Sequence, residues 1–372
     1  MKKITQQEFD TKRSSFQEIH DCDLSDISIS PEIMTGPTSF EDTGIIVSWT
    51  DNVIWPTDII EKINPQQMLE KTKQPTEMKS VHSIGKTGKN IGIAIIDQRL
   101  YREHPEYADR IKHYEAVGTW PENDTTTPDY HGSLVVGCAA GKTTGAAPDA
   151  DIYYFAANSL VIENKFENAT AKLTEKPLQP GHRKYQNMAI RRILEINKTL
   201  PENKKIRFLS CSWGRSNDLF VEESNELFAE CERNGIMVLG GFYKHTLSSI
   251  CRYDKRFGVD ETKPWLKNRI GIPTDGKTTP YFEGGYYYTR LGGASSTYPY
   301  LAGIFACALQ DNTIFFTRPN WQDELIEIMQ QTATEHPLGG KTINPSGIES
   351  RVSEIARAME QNLLKQQASQ HE

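Results

Sequence analysis

The 372-residue chain has no stretch approaching the ~20 apolar residues that a membrane-spanning helix needs, which excludes a helical membrane protein. Long lysine or arginine runs are missing too. Its 42 basic against 49 acidic residues leave a formal charge of −7, unlike the clustered basic face of a nucleic-acid binder. The six cysteines, at positions 22, 138, 211, 231, 251 and 307, form no CxxC pair and no Cys/His cluster of zinc spacing. His104 and His113 lack a histidine partner one helical turn away, so neither is read as a metal ligand. With 26 glycines and 19 prolines the chain is neither collagenous nor of the low-complexity disordered kind. The two lysines after Met1 are not followed by the apolar core of a secretory signal. The expectation is a cytoplasmic protein with reduced thiols.

What is present is an α/β pattern that begins near residue 90. Ile91-Gly92-Ile93-Ala94-Ile95-Ile96 is a continuous, mostly β-branched run, the mark of a strand buried on both faces of a parallel sheet. Residues 151–157, 206–211 and 235–240 repeat it. Helical periodicity lies between them, at 133–140, 185–197 and 222–234, and continues at 300–310, 321–332 and 346–366. Such alternation predicts a parallel sheet covered by helices on both faces. The charged, weakly periodic stretch 158–182 reads as a surface loop. Residues 1–75 read as a polar extension, broken by Pro31, Pro37, Pro56, Pro65 and Pro75, with a helix at 65–73. Its apolar residues are too few and too irregular to predict much core of its own, so it is expected to pack on the α/β domain that follows. The divisions are an extension at 1–75, a main α/β domain at 76–345, and a C-terminal helix and tail at 346–372.

Open parallel sheets bind ligands at the carboxyl ends of their strands, and Asp97 stands there directly after its apolar run. Alone, such an Asp reads equally well as a turn-former. His131-Gly132-Ser133 opens a helix rich in small residues, and Gly292-Gly293-Ala294-Ser295-Ser296 runs into another. A serine just before a helix is usually an N-cap. Taken together, the three give the chain order Asp, His, Ser, one of the known orders of a catalytic triad.

The chain resembles the subtilisin-like serine proteases (subtilases, peptidase S8) over about residues 80–350. Family sequences around the catalytic aspartate read D-S-G-x-x-x-x-H-P-D-L; here Asp97, His104, Pro105 and Glu106 fall in step without a gap. The family's H-G-T-x-V-A-G is similar to His131-Gly132-Ser133-Leu134-Val135-Val136-Gly137, and its G-V-A-P-x-A-x-L-Y to the run from Gly145 to Tyr153. Its G-T-S-M-A-x-P resembles Gly293-Ala294-Ser295-Ser296-Thr297-Tyr298-Pro299. The resemblance implies a three-layer subtilisin-like α/β fold, with a mostly parallel central sheet, helices on both faces and an added N-terminal extension. It implies a serine endopeptidase with Ser295 as nucleophile, His131 as base and Asp97 as its orienting partner. Ser212, Trp213 and Gly214 resemble the segment that pairs with substrate as an added strand.

Two departures stand out. Gln98-Arg99 replaces the small-residue and glycine pair after the aspartate. The oxyanion-hole Asn expected after the strand ending near Leu239 is missing, since the chain reads Gly240-Gly241-Phe242-Tyr243-Lys244-His245. Ungapped counting puts Lys244 at that position, with Tyr243 and His245 as the other candidate donors. The loss of such a donor typically costs ~10²–10³ in rate. The alternative is therefore a weak or inactive pseudoprotease that binds peptides or a partner protein. An unrelated hydrolase with its elbow at Ser210–Gly214 fails because G-x-S-x-G needs glycine where Ser210 stands. No cofactor is required by the reading, calcium sites are not legible, and the expected partner is a peptide or protein substrate, without nucleic acid or membrane.

Overall fold

The computed structural model describes residues 1–14, 19–30, 48–118, 130–157, 182–212, 220–240, 243–244, 249–290 and 292–369. Its N-terminal arm is built from β1 (Lys2–Lys3), α1 (Gln6–Ser14), β2 (Cys22–Asp23), β3 (Trp49–Thr50), α2 (Thr57–Lys62) and α3 (Pro65–Lys73). The start of α3 is locally encoded. Asn64 accepts a 3.0 Å hydrogen bond from the Gln67 N–H, and Pro65 takes the first helical position, where its missing N–H costs nothing.

The expectation that this arm has little core of its own is corrected. Ile4, Phe9, Leu24, Trp55 and Ile59 close around Trp49 in a small separate core that Tyr288 completes. The sequence gives no periodic signal for it because distant pairings assemble it: β1 lies parallel to β2, and Ile19 bridges to Trp49.

The main domain continues with α4 (Lys79–Ser83), β4 (Gly92–Asp97), β5 (Ile111–Val117), α5 (Tyr130–Ala140), β6 (Asp151–Ala157), α6 (His182–Thr199), β7 (Ile206–Cys211), α7 (Val221–Arg233) and β8 (Met237–Gly240). These five strands form one parallel sheet in the order β5-β6-β4-β7-β8. Along β4 the faces alternate: Ile93 and Ile95 enter one core, Ala94 and Ile96 the other. Helices α6 and α7 cover the second face. The expected three-layer α/β arrangement, a parallel sheet with helices on both faces, is therefore present. Residues 158–181 of the expected loop lie outside the described residues, and His182 already opens α6.

Beyond the sheet follow β9 (Ile250–Tyr253), β10 (Ile270–Pro273), β11 (Lys277–Pro280), β12 (Tyr286–Thr289), α8 (Gly293–Leu309), α9 (Trp321–Thr332), β13 (Thr334–Glu335), β14 (Lys341–Thr342) and α10 (Pro345–Ser369). Helices α5 and α8 pack together on the first face of the sheet. The antiparallel hairpin β11–β12 gains β3 of the arm as its third strand, with Tyr287 opposite Thr50 and Tyr288 opposite Trp49. The edge strand β5 and this hairpin went unread because Lys112, His113, Glu115 and a run of Thr and Tyr carry no clean apolar pattern. No helix among the described residues is long and apolar enough to cross a membrane.

Trp49 is fully buried, stacked on Tyr288 at 4.1 Å between ring centroids and edge-on to Trp55 at 5.5 Å. Trp49→Ala should therefore cost about 3–5 kcal/mol in urea unfolding. A cost below about 1 kcal/mol would show that this core does not hold the arm.

Candidate active site

Asp97 ends β4 and Ser212 follows the end of β7. Because Ile96 pairs with Cys211, the parallel register sets the two residues side by side at the carboxyl edge of the sheet. The strand order reverses here, with β5 and β6 to one side of β4 and β7 and β8 to the other, which is where such sheets bind ligands.

His131 is the second residue of α5, and its Nδ1 lies 2.6 Å from Asp97 Oδ1. A carboxylate accepts, so Nδ1–H donates and Nε2 is the ring nitrogen left for chemistry. The Asp97 side chain is 5% exposed and also accepts from the Gln98 N–H at 2.8 Å. The departure at Gln98 is thus absorbed by the turn: its carbonyl accepts from the Tyr154 hydroxyl. Helix α5 approaches this turn closely only because residue 132 is glycine. A Cβ there would lie 2.6 Å from Tyr154 Oη and 2.8 Å from the Arg99 carbonyl oxygen.

Helix α8 begins at Gly293, seven residues earlier than its apolar pattern announces, so Ser295 lies within its first turn and not ahead of it as an N-cap. Two local features allow the early start. Gly293 adopts a left-handed φ of +64°, which favours glycine, and the Gly292 N–H is held by Asp275 Oδ1 at 2.8 Å. Asp275 is itself fixed by Arg252 through two 3.0 Å bonds. Burial raises its carboxyl above the usual range, against the pull of that guanidinium.

Pro299 stands inside the same helix, where it has no N–H to give the carbonyl four residues back, which is that of Ser295. The Ser212 hydroxyl donates to this carbonyl at 2.9 Å instead, and Ser295 Oγ lies 3.5 Å from the Ser212 carbonyl. The structure thus joins Asp97 to His131, and Ser295 to Ser212, at one sheet edge.

Two of the candidate oxyanion donors are engaged by α7. The Lys244 ammonium pairs with Glu232 of α7, and the Tyr243 hydroxyl donates to the same carboxylate at 3.4 Å. Tyr243 also packs on Phe228 of α7. Burial pushes the Glu232 carboxyl up, and Lys244 offsets part of this. His245, Trp213 and Gly214 lie outside the described residues. Sequence reasoning missed Asp275 and Arg252, whose only signal is a pair of opposite charges 23 residues apart. Among the described residues no group of three or more His, Cys, Asp or Glu is placed to hold a metal ion.

A cavity of about 480 Å³ opens between α3 and the segments 254–256 and 273–277; Asp97, His131 and Ser295 do not line it.

Comparison with known proteins bears on this geometry. Residues 88–250 match the family described as the subtilase family. Over that range the chain is similar to a divergent subtilase domain. The matched range includes Asp97, His131 and Ser212 and ends before Ser295. Over 80 residues the chain is 32% identical to the subtilisin-like protease PopC of Myxococcus xanthus (strain DK1622), a match covering 19% of this chain and 17% of that protein's length. Among solved structures it is similar to the prenylagaramide maturation protease PagA, with a TM-score of 0.51 and 14% identity over 74% of this chain and 98% of that one. A likeness to the PatG macrocyclase in complex with a peptide has a TM-score of 0.49 and 12% identity, over 75% and 96% of the two chains.

Two substitutions test the site. Gly132→Ala should push α5 off the Asp97 turn, cost about 1–3 kcal/mol in unfolding and lower kcat/KM at least tenfold. Lys244→Ala should change kcat less than about threefold, because its ammonium is engaged by Glu232. A hundredfold fall in kcat would instead return Lys244 to the oxyanion hole.

Proposed function

We propose that the chain is a serine endopeptidase that cleaves peptide bonds through Asp97, His131 and Ser295 and an acyl-enzyme intermediate. The observation that carries this reading is the 2.6 Å Asp97–His131 contact, in the position of the subtilase motifs and on the sheet edge to which Ser295 is tied. A serine hydroxyl is a weak nucleophile until a base removes its proton. With Nδ1–H committed to Asp97, His131 Nε2 takes the proton of Ser295 Oγ as the oxygen attacks the scissile carbonyl. The tetrahedral oxyanion faces the first turn of α8, whose N–H groups and partial positive charge favour it. His131 then gives the proton to the leaving amine, which breaks the C–N bond and leaves the acyl group on Ser295. Water, deprotonated by the same imidazole, releases the acid and restores the serine.

The substrate proposed is an extended peptide or a protein segment, paired as an added strand beside residues 212–214. Its backbone amides would meet the edge that Ser212 already borders, and the side-chain chemistry of the reaction needs no cofactor. A cytoplasmic location goes with the proposal.

Fluorophosphonate labelling followed by peptide mapping should place the adduct on Ser295, and Ser295→Ala should abolish it. An adduct on Ser296 or Ser212 would overturn the assignment, and no adduct on a folded protein would mark a peptide-binding scaffold. Asp97→Asn should lower kcat by about 10⁴-fold, through loss of the correct imidazole tautomer, with the fold intact.

A further inference from the structure

Pro299 has a second consequence. By removing the helical hydrogen bond at the Ser295 carbonyl, it weakens the α8 ladder at the turn that carries the nucleophile. That turn must be held from outside the helix. At its front the Ser212 hydroxyl takes the carbonyl. Behind it, Tyr300 is completely buried, five residues or roughly 7.5 Å along the axis from Ser295, and its hydroxyl donates to Glu77 Oε1.

Glu77 belongs to a short turn, Thr76–Met78, at the junction of the arm with the peptidase domain. Its side chain is 12% exposed and gathers groups from three further elements. Lys277, the first residue of β11, donates to Oε1 at 3.1 Å. Lys255, in the turn after β9, donates to Oε2 and to the neighbouring Thr76 hydroxyl. Lys277 also lies 3.7 Å above the centre of the Tyr300 ring, so the cation, the carboxylate and the phenol form one closed cluster. Burial would push the Glu77 carboxyl up, but the two ammonium groups and the phenol hold it down at about 2, so the carboxylate is ionised and accepting near neutral pH. Removing one partner from a buried charge cluster leaves the others uncompensated, the costly case.

The arm reaches the same hairpin independently. Helix α3 lies on β11, where the Thr72 and Thr278 hydroxyls are 2.8 Å apart, and β3 pairs with β12, which leads into Gly292 and Gly293.

We propose that Glu77 is a positioning residue for the nucleophile: through Tyr300 and Lys277 it fastens the Pro299-weakened turn of α8, and it does so from the end of an arm that stays in place in the working protein. The proposal rests on Ser295 as nucleophile for its catalytic consequence, while the tether itself is a property of the fold.

The test uses the full chain with Glu77→Gln, which keeps the shape and removes the charge, and Tyr300→Phe, which removes only the hydroxyl. Glu77→Asp serves as the conservative variant. In folded Tyr300→Phe and Glu77→Gln, fluorophosphonate labelling of Ser295 should slow at least tenfold, and kcat should fall with KM changed less than twofold. Glu77→Asp should recover part of the rate. Amide exchange in residues 294–301 should rise at least tenfold while that of Gly92–Asp97 stays protected, a pattern that general destabilisation does not give. Labelling and exchange within twofold of wild type in both folded variants would overturn the proposal. If the wild type takes no label at Ser295, the protease reading falls, and the exchange measurement alone still decides the tether: a local rise at 294–301 upholds it and no rise overturns it. Uniformly faster exchange in every variant would show a merely structural role and overturn the positioning claim.

Discussion

The register between β4 and β7 is the constraint on which the site depends. Ile96 opposite Cys211 brings Asp97 and Ser212 to the same level at the carboxyl edge, and each then receives a side chain from a helix. Helix α5 delivers His131 to Asp97, and α8 delivers Ser295 to Ser212. A strand buried on both faces tolerates no slip, because moving by one residue would exchange Ile93 and Ile95 with Ala94 and Ile96 between the two cores. The precision of the site is therefore inherited from packing of ordinary apolar residues.

Around that register the chain breaks two local rules and compensates for each. Glycine is a poor helix former, yet Gly132 stands in α5 because a side chain would strike Tyr154 and the Arg99 carbonyl. Proline disrupts helices, yet Pro299 stands in α8, and the carbonyl it deprives is taken by the hydroxyl of Ser212, just beyond β7. In both cases local helix preference yields to a contact between elements, and the helix concerned carries His131 or Ser295. Lys244 shows the reverse: its ammonium is taken up by Glu232 on α7, an ion pair between elements that does not involve Asp97, His131 or Ser295.

The arm belongs to this arrangement more closely than its polar composition suggests. By adding β3 to the β11–β12 hairpin it widens the antiparallel sheet that leads into the turn before Ser295, and Trp49 on Tyr288 makes that junction apolar and fully buried. Stability of the arm and order at Ser295 then draw on the same strand.

Much of this was legible in residue order alone. The run to Ile96, the strands at residues 151–157 and 206–211, and the helix Pro65–Lys73 follow from local pattern, which needs no knowledge of distant residues. The motifs around Asp97, His131 and Ser295 were legible for the same reason, since each is a short stretch whose function demands particular neighbours. What only the tertiary structure decided are the matters of long range: the arm core around Trp49, the capture of Tyr243 and Lys244 by Glu232, the Arg252–Asp275 clamp on Gly292, and the cluster at Glu77. Each joins residues with no local pattern in common. Side chains as unspecific as a lysine or a glutamate acquire their role from the groups that folding places beside them.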